Sequence, residues 1–259
     1  MSEVRNEEIT VKPDSAGRLL DLLLEAKARK NNERFCDVWA GIFGVPASDT
    51  GSVLSLVSQF IELNQKAKDD IRKLSDADHD LYLRPFNKID SIFSRINFDE
   101  GWAAWKSQLD ETLITELRFV SDKLKRNTSQ TFINSGDVAQ LLQQVTDLET
   151  EILESDLHED VKRLLLQNLS QIRACLISYR ISGPEAIKVE FQRSMGSLYL
   201  EKEQILRNSK SNDQKERAIW DKFLKVLAQF NTISGAYKNW QNLLADPGLQ
   251  TLIAMLIPN

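Results

Sequence analysis

The feature that most constrains the fold is an apolar residue at every third or fourth position, which recurs along most of the chain. Over residues 53–74 the apolar positions are Val53, Leu56, Phe60, Leu63, Ala67, Ile71 and Leu74. This spacing puts the side chains on one face of an α-helix, and no alternating pattern of useful length predicts a strand. The chain also has few turn formers, with 10 glycines and 6 prolines in 259 residues. We therefore predict an all-α fold, an irregular multi-helix bundle of about eight to ten helices in up-down hairpins.

The pattern predicts two helical sub-bundles that meet near residue 130. The first is predicted over 1–130 and starts with a flexible polar tail over 1–12, and the second is predicted over 131–259. Apolar runs on both sides of a short polar break predict a long αα-hairpin over 135–181, which Gly183-Pro184 ends.

Two helix starts in the first sub-bundle are predicted from the residues that favour them. Pro85 suits the first turn of a helix, because proline lacks an N–H that this turn would leave unbonded. Asn97 or Asp99 is predicted to cap one long helix that carries Trp102 near its start and Leu124 near its end.

Charge and hydropathy exclude several classes of protein. The net charge of -5 is spread evenly, which argues against nucleic acid as a partner. The most apolar run, Leu252–Ile257, is far shorter than the roughly 20 residues of a membrane-spanning helix, so no transmembrane segment is predicted. A polar N-terminus without a secretory signal and only two cysteines, Cys36 and Cys175, predict a cytoplasmic protein.

Metal and cofactor sites are not predicted either, because the candidate motifs lack essential residues. The sequence His158-Glu159 begins a zinc-binding H-E-x-x-H motif, but Lys162 takes the place of the second histidine. The aspartates at 76, 78 and 80 resemble the start of a calcium loop, but Leu81 replaces its glycine and Asn87 its glutamate. Glycine-rich phosphate loops do not occur in the sequence.

One short motif suggests an enzymatic alternative. Arg72 and His79 form an R-x6-H pattern that is similar to the catalytic signature of HEPN ribonucleases. The resemblance implies an all-α fold with a site near a helix end, usually across a dimer. In such a site His79 would act as general acid and base on a ribose hydroxyl, and Arg72 would neutralise a phosphate.

Two groups of residues are candidates for binding another protein. Trp102 and Trp105 lie one helical turn apart, and they fit either a core or an aromatic anchor in an interface. An acidic stretch over 147–160 contains no lysine or arginine and fits either a solvated helix face or a docking surface for a basic partner. Its candidate binding residues are Asp147, Glu149, Glu151, Glu154, Asp156 and Glu159.

The hypothesis that these observations favour is a non-enzymatic, all-helical protein that works by binding another protein with a basic surface. Its composition is similar to that of accessory or immunity proteins of bacterial conflict and defence systems. The sequence leaves open whether the chain forms a homo-oligomer. It also leaves open whether the apolar tail over 249–257 belongs to the core, to an interface or to a membrane surface.

Overall fold

The structure, a computed structural model, describes residues 10–127, 133–201 and 214–234. These residues confirm the all-α prediction, since they form ten helices and two strands of only two residues each. They group into two compact units. The predicted boundary near residue 130, most of the predicted N-terminal tail and the apolar tail over 249–257 lie outside the described residues.

The N-terminal unit consists of residues 11–127 together with Arg180–Gly183, and the C-terminal unit consists of Thr10 and the other described residues. The elements from the start of the chain to residue 127 are β1 (Thr10–Val11), α1 (Ser15–Ala28), α2 (Phe35–Phe43), α3 (Thr50–Arg72), α4 (His79–Phe93), α5 (Trp102–Lys106) and α6 (Glu111–Lys125). The later elements are β2 (Ile133–Asn134), α7 (Ser135–Glu154), α8 (Glu159–Ser182), α9 (Pro184–Leu200) and α10 (Gln214–Ser234).

Aspartate side chains begin four helices of the N-terminal unit. In each case the carboxylate accepts a hydrogen bond from a backbone N–H three residues later, at 2.6 to 3.2 Å. This arrangement satisfies one of the N–H groups that the first turn leaves without a helical partner. The four capping residues are Asp14, Asp49, Asp78 and Asp110.

Two of these caps correct the predicted helix starts. Helix α4 starts at His79, because Asp78 caps it, so Pro85 lies inside the helix and not in its first turn. The predicted long helix from Asn97 or Asp99 is instead two helices, because Asp110 begins α6 after the short α5. The sequence also allows a helix to start within residues 76–80, and the structure has that start, whereas α5 follows Gly101 and not Asn97 or Asp99.

An aromatic cluster forms the core of the N-terminal unit. Phe35 lies at its centre, fully buried, with its ring centroid 4.6 to 6.2 Å from those of five other aromatic rings. These five rings belong to Trp39, Phe93, Phe98, Trp102 and Trp105. Large aromatic side chains bury more apolar surface than any others, so this cluster contributes strongly to the stability of the unit.

A buried arginine joins the end of α8 to the start of α1 within the N-terminal unit. Arg18 is 3% exposed, and its Nε donates to the Ile181 carbonyl at 3.0 Å. Its Nη1 donates to the carbonyls of Pro13 at 2.7 Å and Lys12 at 3.2 Å. Burial lowers the pKa of Arg18, although the charge of the buried Asp14 opposes that change.

Gly183 is the residue that brings the backbone against this arginine. Its φ of 76° lies in the left-handed region, where a glycine pays no steric penalty. A Cβ at this position would also lie 2.7 Å from Arg18 Cζ. Position 183 therefore requires glycine for its backbone angle and for its close contact with the guanidinium.

The C-terminal unit contains α7, α9, α10 and most of α8. Helices α7 and α8 occupy the stretch of the predicted hairpin, and α10 packs against α7 and α9. The positions of the predicted apolar face of α7 are all buried: Val138, Leu141, Val145, Leu148 and Ile152. None of the helices in the described ranges combines the length and the apolar character that crossing a membrane requires.

Candidate protein-binding surface

Ion pairs within the C-terminal unit neutralise part of the acidic stretch. Glu149 on α7 lies 3.1 Å from Arg173 Nε on α8. Glu151 accepts from Lys222 Nζ on α10, at 2.6 and 2.7 Å to its two oxygens. These two carboxylates connect neighbouring helices, so they are less available to a partner than the sequence suggested.

The other acids lie on the surface around the connection between α7 and α8. Glu154, Asp156 and Glu159 are exposed, and we refer to these three residues as the acidic turn. Glu154 and Asp156 have no cationic partner among the residues that the structure describes, and Glu159 lies 3.7 Å from Lys162. Asp147, about two helical turns before Glu154, accepts from the neutral side chain of Gln143 at 2.8 Å. The carboxylates that lack a cationic partner among the described residues are therefore Glu154 and Asp156 at the turn and Asp147 farther back on α7.

A depression with a volume of about 310 Å³ adjoins the acidic turn. Charged side chains, Glu154, Asp156, Lys215 and Glu216, line it together with the apolar side chains of Leu157 and Ile219. Leu153, which directly precedes Glu154 in the sequence, exposes 64% of its surface. A surface that combines an exposed leucine, a depression of mixed polar and apolar lining, and carboxylates without a cationic partner among the described residues has the features of a polar-rimmed protein interface.

The two tryptophans are core residues and not surface anchors. Trp102 is 1% exposed and donates through Nε1 to the Ala26 carbonyl at 3.0 Å. Trp105 is 3% exposed and donates to a Glu100 carboxylate oxygen at 3.0 Å. Both rings pack on Phe35 in the aromatic cluster, so the structure places them where a partner would not reach them.

Arg72 and His79 each form a hydrogen bond with a residue a few positions earlier in the sequence. The Arg72 guanidinium donates to Asp69 at 2.8 Å, one turn earlier on α3. His79, the first residue of α4, donates from Nε2 to the Leu74 carbonyl at 2.9 Å. Both side chains are exposed, and the ribonuclease interpretation of this pair stays a prediction.

The aspartates that resemble a calcium loop have other roles in the structure. Asp78 caps α4, and Asp76 accepts from Lys123 Nζ at 2.6 Å, which lowers the pKa of Asp76. His158 Nδ1 lies 3.6 Å from an Asp160 oxygen on the first turn of α8. Across the described ranges, no three or more histidine, cysteine, aspartate or glutamate side chains gather as metal ligands would.

The two thiols are expected to resist alkylation in the folded protein. Burial raises the pKa of Cys175 from its ordinary 9.0 to about 12, with a further contribution from the charge of Glu190, and burial also raises the pKa of Cys36. Only the thiolate reacts, and at a fixed pH a rise of the pKa from 9.0 to about 12 leaves about a thousandfold less thiolate. We expect alkylation of Cys175 at pH 8 to be at least a hundredfold slower than after unfolding, measured by mass spectrometry with iodoacetamide. A rate within threefold of the unfolded chain would contradict this.

Sequence reasoning missed the exposed apolar residues. Leu153 does not share the helical phase of the buried positions on α7, and Phe119 does not share that of Leu117 and Val120 on α6. A large apolar residue outside the apolar face of a helix was the signal that would have identified both. Phe119 exposes 68% of its surface.

Comparisons of this chain with protein-family models, with curated proteins and with solved structures find no match.

Proposed function

We propose that the protein is a non-enzymatic binding protein whose acidic turn docks on a basic surface of another protein. The observation that supports this most directly is the separation of the acidic stretch into two classes. Glu149 and Glu151 are neutralised by cations of their own unit, whereas Glu154 and Asp156 are exposed without a cationic partner in the described part of the chain.

Exposed charges of one sign act mainly on association. They attract an oppositely charged surface before contact and raise the association rate, while salt screens this attraction. Once the surfaces meet, the exposed side chain of Leu153 provides the apolar contact that excludes water. We therefore assign the fast association to the charges of the acidic turn and the slow dissociation to the apolar contact of Leu153.

A cytoplasmic accessory or immunity-type protein of a bacterial conflict system is the class of protein that we propose. In such a role the acidic turn would cover a basic surface of a toxin or nuclease, which needs positive charge to hold its own substrate. Two features support this assignment: the composition of the chain and the charge of the turn.

The double substitution Glu154→Lys with Asp156→Lys is expected to lower the association rate with the natural partner at least tenfold at low salt. The partner would be captured from the native host by the tagged full chain and identified by mass spectrometry. Its association would then be measured by surface plasmon resonance between about 0.05 and 0.5 M NaCl, a range over which the Debye length falls by about threefold. As salt rises, the association rate of the unsubstituted chain should fall towards that of the double variant.

A matched control is Glu62→Lys with Asp69→Lys, which makes the same charge change on exposed residues of α3 in the other unit. This control should keep most of the association rate, because the charge lies away from the acidic turn in sequence and belongs to a different unit. Equal losses in the two double variants, or an association rate that salt leaves unchanged, would rule out the acidic turn as the docking surface.

A further inference from the structure

A groove lies between the start of α4 and the end of α6 in the N-terminal unit, with a volume of about 440 Å³. Leu81 and Phe119 line it from the two helices, together with the buried Val120. Leu81 exposes 49% and Phe119 68% of its surface. Both helices bury their apolar faces in the core, so these two side chains are additional to what the fold needs.

Single apolar residues on a protein surface are ordinary, but two large ones on neighbouring helices beside a groove are not. Such grooves typically receive the apolar face of an amphipathic helix. Leu54 on α3 gives a useful contrast, because it is 50% exposed and is not among the residues that line the groove.

The charges at the rim indicate which kind of helix fits. Both cations of the rim are neutralised within the unit, since Lys123 donates to Asp76 at 2.6 Å and Arg126 forms an ion pair with Asp122. Glu116, which lines the same groove, has no cationic partner in the described ranges. A bound lysine or arginine would complete an ion pair with Glu116, whereas a bound acid would be repelled.

We infer that this groove binds a basic amphipathic helix of a partner protein, with an apolar anchor against Phe119 and Leu81 and a basic side chain beside Glu116. The groove and the acidic turn belong to different units. The inference therefore stands independently of the proposed function, and separate variants test the two surfaces.

The test uses a fluorescein-labelled peptide of leucine and lysine, about 18 residues or five helical turns long, with its leucines at spacings of three and four. A counterpart carries glutamate in place of lysine. Fluorescence anisotropy would measure binding to the full chain. We expect Phe119→Ser to weaken binding of the lysine peptide at least tenfold, and Glu116→Lys to weaken it at least threefold at low salt. The glutamate peptide should bind at least tenfold more weakly than the lysine peptide.

Leu54→Ser is the control and should leave the affinity within twofold, because it removes a half-exposed apolar side chain that does not line the groove. The comparison is repeated in a chain that carries Glu154→Lys and Asp156→Lys, so that peptide bound at the acidic turn does not contribute. Equal affinity of the Phe119→Ser and unsubstituted chains would overturn the inference. Self-association that Phe119→Ser abolishes, measured by analytical ultracentrifugation, would also overturn it and would assign the groove to a second copy of the chain.

Discussion

Phe35→Ala is expected to destabilise the N-terminal unit by about 3–5 kcal/mol, because it removes the ring at the centre of the aromatic cluster. The loss combines the transfer free energy of the phenyl group with the cost of the cavity that five rigid neighbouring rings would not fill. Urea denaturation would measure it. The fluorescence of Trp39, Trp102 and Trp105 reports on this unit, because all three rings lie next to Phe35.

Phe119→Ala provides the control, since it removes the same group from a side chain that is 68% exposed. This variant should change the free energy of unfolding by no more than about 0.5 kcal/mol. A loss below about 1 kcal/mol for Phe35→Ala would mean that the cluster is not the packed core that we describe.

Arg18→Met is expected to cost about 3–5 kcal/mol of the same unfolding free energy. Methionine keeps most of the buried stem but removes donors from the carbonyls of Lys12, Pro13 and Ile181. It also leaves the buried Asp14 without the cation that lowers its pKa most. Urea denaturation followed by tryptophan fluorescence would again be the measurement.

The cost of Arg18→Met should depend on pH in a defined direction. Burial raises the folded pKa of Asp14 above its ordinary 3.8, even though Arg18 lowers it. The ionised Asp14 therefore lowers the free energy of unfolding. This cost is fully present above the folded pKa and disappears as pH falls below 3.8. The difference between the variant and the unsubstituted chain should shrink as pH is lowered from 7 towards that value.

Arg34→Met makes the same change at an exposed arginine that pairs with Asp37 at 2.9 Å. Because water and salt screen this pair, the urea midpoint should stay nearly unchanged. If both arginine variants shifted the midpoint equally, burial would not be the cause of the effect at Arg18.

The fold class follows from the sequence because helical periodicity is local. Val53, Phe60 and Ile71 were assigned to one face by spacing alone, and all three are buried. Helix starts were less predictable, since several aspartates compete to cap and the sequence does not rank them. The prediction that Pro85 lies in the first turn of a helix is wrong, because the cap at Asp78 starts α4 earlier and leaves Pro85 inside it.

The candidate site was less predictable, because its charges are paired across long stretches of sequence. Lys222 reaches Glu151 from 71 residues away, and no local pattern shows that this carboxylate is neutralised. The tryptophan pair was ambiguous for a different reason. Two indoles one turn apart fit a core and an interface equally well, and only the packing around Phe35 distinguishes these alternatives.

The assignment of Arg180–Gly183 to the N-terminal unit has a consequence for biosynthesis. A ribosome completes residues 11–127 well before it reaches Ile181, so Arg18 lacks one of its carbonyl acceptors during that interval. Domains usually fold in the order in which they emerge. Here the unit that emerges first reaches its final set of hydrogen bonds only after α8 has been translated, because the Ile181 carbonyl that accepts from Arg18 is made late.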